Sequence, residues 1–273
     1  MSPELNTLLG LLIVGAIVAL IGRAFTATSR RRGEMQALAQ TLRSSFEARA
    51  NDVLDHYAGF VTTQSTTRPE VFNLLTLEHE GVSLCVFDLF YSEMIRLGDR
   101  TSEVDRKRTV IALSHPEMNL PQFLIRPETG GDKIRGLFEA GQFVVESSTE
   151  KEQEVPSDPI PGLSIHISRP PSFGDWLNKS EIQLVDRDTF NRAYWIQGSD
   201  ERALQAFLTE PMTHFIDQAT TGHLVWEGFG NTLILASNYN LLNIKRLPDS
   251  ISLAHTFMQL SLDPGHTRAS GDL

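Results

Sequence analysis

The stretch "VFNLLTLEHEGVSLCVFDLFYSE", residues 71–93, decides the fold. Two runs rich in Val, Leu and Phe meet at Glu80 and Gly81, which predicts a β-hairpin. In the second run Val82, Leu84 and Val86 point one way, while Cys85, Phe87, Leu89 and Tyr91 point the other. Both faces are apolar, so this strand belongs in the middle of a covered sheet. Asp88 interrupts it on the face of Leu84 and Val86, where an unpaired carboxylate would be costly to bury. It is the candidate site residue of the chain, and the expected partner is an arginine across the sheet such as Arg126 in "FLIRPE".

Working outward, "RTVIALSH" and "QFLIRPE" read as two more strands separated by the turn-rich "PEMNLP", which makes a meander of about four strands the simplest topology. "FNRAYWIQG" reads as a strand, followed by Ser199 or Asp200 capping a helix that starts at Glu201. Thr209 and Pro211 predict a fresh helix, because proline is tolerated in a first turn. "HLVWEGFGNTLILAS" is a second hairpin around Gly230 and Asn231, and "PDSISLAHTFMQLSL" a final amphipathic helix with Leu253, Phe257 and Leu260 at helical spacing. Antiparallel strands without alternating β and α units give an α+β fold rather than a doubly wound one, with the possibility of two similar α+β halves.

Upstream, Leu5 to Gly22 is a run of 18 uncharged residues, about 27 Å as a helix and close to the thickness of a bilayer core. Glu4 is the only charged side chain before it, whereas Arg23, Arg30, Arg31 and Arg32 follow. A secretory signal has its positive charge first; basic residues after the span place them at the cytoplasmic boundary. The run therefore reads as a single-pass transmembrane anchor in the inner (plasma) membrane, with the amino terminus outside and the remaining chain cytoplasmic. Met35, Leu38, Leu42, Phe46, Val53 and Tyr57 then recur at spacings of three, four or seven, which predicts an amphipathic juxtamembrane helix. The domain organisation so read is anchor and basic boundary 1–32, helix 33–60, β-rich half 61–146, flexible Glu- and Pro-rich loop 147–162, α+β half 163–262 and frayed tail 263–273.

Composition limits the partners. A formal net charge of -10 repels nucleic acid, and anionic lipid away from the anchor. Cys85, the single cysteine, cannot form an internal disulfide, in keeping with a reducing compartment. There is no H-E-x-x-H, paired C-x-x-C, G-x-S-x-G elbow or phosphate-binding glycine loop, so no cofactor or metal is expected. His79 between Glu78 and Glu80 sits beside a turn, and alternation sends neighbouring side chains to opposite faces. His115, His166 and Trp226 read as ordinary surface or core residues, and Cys85 as a thiol held neutral among apolar neighbours.

At "FDLFYSE", "LPQFLIRPE" and "FNRAYWIQGSDERALQAFLTEPMTHFIDQ" the chain resembles an uncharacterised family of bacterial single-pass membrane-anchored proteins, from Val71 to about Ala236. It departs from that pattern in a longer segment from Ser147 to Gly162. The resemblance implies an anchored cytoplasmic domain and carries no functional residues with it. The expected function is a non-catalytic protein-interaction or oligomerisation module, bound to the bilayer through its first helix and engaging a protein partner or a second copy. The alternatives are a membrane-tethered hydrolase-like enzyme with Asp88 as its acid, and a small-molecule or lipid-headgroup sensor.

Overall fold

The structure, a computed structural model, describes residues 28–64, 67–97, 100–128, 181–219, 224–238 and 240–262. Among these residues eight strands form one antiparallel sheet in the order β1-β2-β3-β4-β8-β7-β5-β6. They are β1 (Ser45–Arg49), β2 (Thr67–His79), β3 (Val82–Leu97), β4 (Arg100–Ser114), β5 (Leu120–Pro127), β6 (Tyr194–Gly198), β7 (Leu224–Gly230) and β8 (Thr232–Ser237). The helices are α1 over 28–42, α2 (Val53–His56), α3 (Val61–Gln64), α4 (Asp188–Ala193), α5 (Glu201–Phe207), α6 (Glu210–Ala219) and α7 (Leu247–Leu262).

The β2–β3 hairpin turns at Glu80 (φ 50°) and Gly81 (φ 81°), two left-handed residues whose twist matches that of the flanking strands. Beyond β4 the expected meander fails. β4 pairs with β8, Val110 opposite Ala236 through Ser114 opposite Thr232, and β7 separates β8 from β5. Strands from both halves of the chain thus share a single sheet.

The sheet separates two apolar layers. On one face Leu84, Val86, Ile111, Leu113, Ile125, Trp226, Leu233 and Leu235 are buried with Met35 of α1, Leu204 of α5, Ile216 of α6 and Phe257 of α7. Trp226 and Phe257 have ring centroids 5.1 Å apart, and Phe123 packs on Phe207 at 5.6 Å. On the other face Cys85, Phe87, Leu89, Val110, Ile234 and Ala236 pack against Val53, Tyr57 and Phe60. The two-faced apolar pattern of β3 is explained by this double covering. Gly228 is a glycine because the Phe123 ring lies over it: a Cβ there would come within 2.3 Å of Phe123 Cε1.

Two elements depart from their sequence reading. The helix expected over 33–60 ends at residue 42: Arg43 turns left-handed at φ 54°, and Phe46 lies opposite Leu75 in edge strand β1. The sequence SFEAR alternates as well as it fits a helix, and pairing with β2 decides between the two. "FNRAYWIQG" is part of a helix before it is a strand, with Phe190 and Tyr194 stacked at 4.5 Å across one helical turn. The Asp200 cap is formed, its Oδ1 accepting from the Ala203 backbone N–H at 3.0 Å.

Among the described residues no helix is long and apolar enough to cross a membrane. The Leu5–Gly22 stretch, Arg23, the 147–162 loop, His166 and the 263–273 tail lie outside the described residues.

Candidate functional site

Arg31, Met35, Leu38, Ala39 and Leu42 follow one another at three-, four- and seven-residue spacings, forming the stripe by which α1 lies on the sheet. Arg31 is the polar member of that stripe, and it reaches Asp88. Its Nε donates to Asp88 Oδ2 at 2.6 Å and its Nη2 to Oδ1 at 2.7 Å, the planar two-pronged geometry that suits guanidinium to carboxylate. Nη2 also donates to Thr109 Oγ1 at 2.9 Å, and Nη1 to the Leu242 carbonyl at 2.7 Å. The Asp88 side chain is fully buried, that of Arg31 15% exposed.

The other acceptor positions of Asp88 are filled as well. Thr109 Oγ1 donates to Oδ1 at 3.0 Å while accepting from the Leu242 N–H at 3.0 Å, and Asn73 Nδ2 donates to Oδ2 at 2.9 Å. Asn73 reaches it from a β-bulge where β2 slips register between Phe72 and Leu75, with the left-handed φ of 56° that asparagine tolerates. Each carboxylate oxygen therefore accepts two hydrogen bonds. A carboxylate so saturated has no lone pair free for a substrate proton, and the arrangement acts as a latch tying α1, β2, β3, β4 and the 240–242 segment together.

The expected partner, Arg126, is elsewhere: its guanidinium carbon sits 4.3 Å above the Trp195 ring. Arg31, read from sequence as a membrane-boundary charge, points into the protein instead. Arg30 and Arg32 are exposed, with Arg30 Nε donating to Glu34 Oε1 at 2.8 Å. His79 and Glu80 are exposed at the hairpin end, 3.7 Å apart. Cys85 is buried, and desolvation pushes its thiol up to about 12. Among the described residues no three His, Cys, Asp or Glu side chains converge as a metal site would require.

A second buried carboxylate, missed in the sequence, lies on the opposite face. Glu227 accepts from the backbone N–H groups of Val61 and of Thr62, the latter at 2.9 Å, at the start of α3. Burial raises its carboxyl to about 7, opposed by those N–H groups and by the charge of Arg108. The signal was the same as for Asp88: one acid inside an apolar strand, "VWEGFG".

The third feature is an arm. β3 and β4 stay paired from Ser83 opposite Ser114 to Leu97 opposite Arg100, but among the described residues β2 accompanies β3 only to Ser92, and β8 accompanies β4 only from Val110. At about 3.4 Å per residue, the hairpin runs about 17 Å past β2 and about 34 Å past β8. Among the described residues, no strand pairs with the outer edge of β4 over 100–109. Its sequence "RTSEVDRKR" carries charges of both signs, as edges that avoid indiscriminate pairing do.

No family model matches this chain, and no curated protein matches it. Among solved structures, the crystal structure of the mycobacterial trehalose monomycolate transport factor A, TtfA, has a similar fold, with a TM-score of 0.50 and 12% identity. The match covers 84% of this chain and 93% of that one. At that identity the likeness is one of fold.

Proposed function

We propose that this chain is a single-pass membrane protein whose cytoplasmic α+β domain is a non-catalytic interaction module, and that the β3–β4 arm is the element it offers to a protein partner. The arm is the observation that carries the reading. Among the described residues no strand lies beside the arm's edge over 100–108, so an extended segment of another chain can add to the sheet there, and the charged side chains on the arm select which segment. The latch supports the same reading. It fixes α1 to the sheet through a buried ion pair, so an arm on the same sheet would stand at a set orientation to the anchor that precedes α1. The saturation of Asp88 takes away the group on which the hydrolase alternative relied. A protein of similar fold is a trehalose monomycolate transport factor, a role compatible with an accessory module; no substrate is transferred from it.

The test is photo-cross-linking of the full-length chain in its native membrane, from a reactive residue at Ser102 or Val104 on the arm, beside a control on α7. A defined partner or second copy captured from the arm and not from α7 is the expected result. Equal capture from both positions, or none, rejects the arm as the interaction element. Fusing a reporter active only in the cytoplasm to the carboxyl terminus checks the topology, and a signal from a periplasm-only reporter overturns it.

A further inference from the structure

Beside the latch, α1 and the segment 240–246 enclose an open groove of about 780 Å³. Its walls include Leu38, Leu242 and Ile244, and its rim carries Arg30 from α1 and Lys245 from the 3-10 turn Ile244–Arg246. These two cations are more than two hundred positions apart in sequence and are brought to one groove by the contact of Arg31 with Leu242. Arg32 and Arg246, next to them in the chain, are exposed too. In a protein of net charge -10, this is a local reversal of sign.

We infer that this groove seats the headgroup of an anionic membrane lipid. The inference rests on the anchored reading, because that reading fixes where the groove lies. Arg30 lies eight positions after Gly22, the end of the apolar run, about 12 Å if helical and no more than about 28 Å if fully extended. A groove that close to the bilayer surface, with two cations above an apolar floor, matches a phosphate bearing a glycerol backbone in both charge and polarity. Arg30 uses one of its five donors on Glu34, and that pair is exposed, with side chains 79% and 43% accessible. Such a pair is worth little in water, so a phosphate nearer the low-dielectric surface can compete for the guanidinium. Asp88 holds Arg31 at the inner end of the groove, which keeps the walls fixed whether or not the site is filled.

The test uses the full chain in nanodiscs of phosphatidylcholine alone or with about one third phosphatidylglycerol, following hydrogen exchange over 28–42 and 240–247. The expected result is exchange slowed in the anionic discs by about fivefold for each cation engaged. That difference is expected to vanish in Arg30→Gln/Lys245→Gln and to survive in Arg30→Lys/Lys245→Arg. Both positions are exposed, so neither exchange disturbs the core. Equal exchange in the two discs overturns the inference, as does a difference that persists in the glutamine variant. Inorganic phosphate reproducing the protection in phosphatidylcholine discs also overturns it, by placing the ligand in solution. Flotation with pure phosphatidylcholine vesicles separates the premise from the conclusion: a chain that floats without charge-dependent protection keeps its anchor and loses the headgroup site, whereas one that fails to float loses both.

Discussion

Replacing Arg31 with methionine removes one partner of a fully buried carboxylate and leaves the chain otherwise apolar at the same length. Asp88 then keeps Asn73 and Thr109 but loses the two charge-assisted bonds at 2.6 and 2.7 Å, and the Leu242 carbonyl loses its donor. Breaking a buried pair by removing one partner costs about 3–5 kcal/mol, because a charge is left behind without compensation. Against a total of about 5–15 kcal/mol for a folded domain, that is about a fifth or more. A second change, Asp88→Leu, removes the stranded charge, so the double variant is expected to recover most of the loss, with a coupling energy of about 2 kcal/mol or more. Urea unfolding of the full chain in detergent, followed by tryptophan fluorescence, measures all four corners of the cycle. Hydrogen exchange over 28–42 reads the helix directly, and the single variant should release it well before global unfolding. An Arg31→Met protein within about 1 kcal/mol of the parent, with α1 still protected, would refute the idea that this contact holds the helix on the sheet.

Three further outcomes follow from the buried groups. The Glu227 carboxyl is raised from 4.5 to about 7, so between those values the unfolded chain is ionised while the folded one keeps its proton. Stability from this group therefore falls as pH rises through that window, by about 3 kcal/mol, and is level above it. Unfolding free energies at about pH 5 and about pH 8 should show that drop in the parent and not in Glu227→Gln, whereas parallel profiles would count against it. Gly228→Ala should destabilise by about 1–3 kcal/mol through the Phe123 ring, and Gly228→Ala/Phe123→Leu should relieve it; no effect of the single change on the melting midpoint would contradict the close approach. Cys85, buried and with its thiol at about 12, should resist alkylation at neutral pH until the protein unfolds, and rapid labelling of the native state would show the β3 environment to be wrong.

Local rules sufficed where local chemistry decides. Glu80 and Gly81, Gly230 and Asn231, Asp200 and Pro211 mark turns, caps and starts whose geometry depends on a few neighbouring residues, and each lies at such a boundary in the structure. The two-sided strand β3 was legible because alternation of side chains is a property of the strand itself. What could not be read was pairing at a distance. β8 sits beside β4 because both strands are apolar on both faces, a property shared by several strands, so sequence leaves their order open. SFEAR fits either period, and its neighbour β2 selects the strand. Asp88 showed itself as a buried acid, but its partner came from 57 residues away, on a helix whose arginines fit a membrane-boundary pattern equally well. Glu227 was passed over although it breaks its strand in the same manner, since an acid beside a glycine turn also reads as a hairpin end.

The claim on which the functional reading depends is that the β3–β4 arm engages a protein. Its most direct measurement compares photo-cross-linking in native membranes, from a reactive residue at Lys107 that both proteins keep, by the parent chain and by a variant whose hairpin is shortened to end near Ser92 and Asp105, where β2 stops. The reading predicts that the shortened protein remains folded and membrane-bound and loses the cross-linked partner. Undiminished capture by the shortened protein would contradict it.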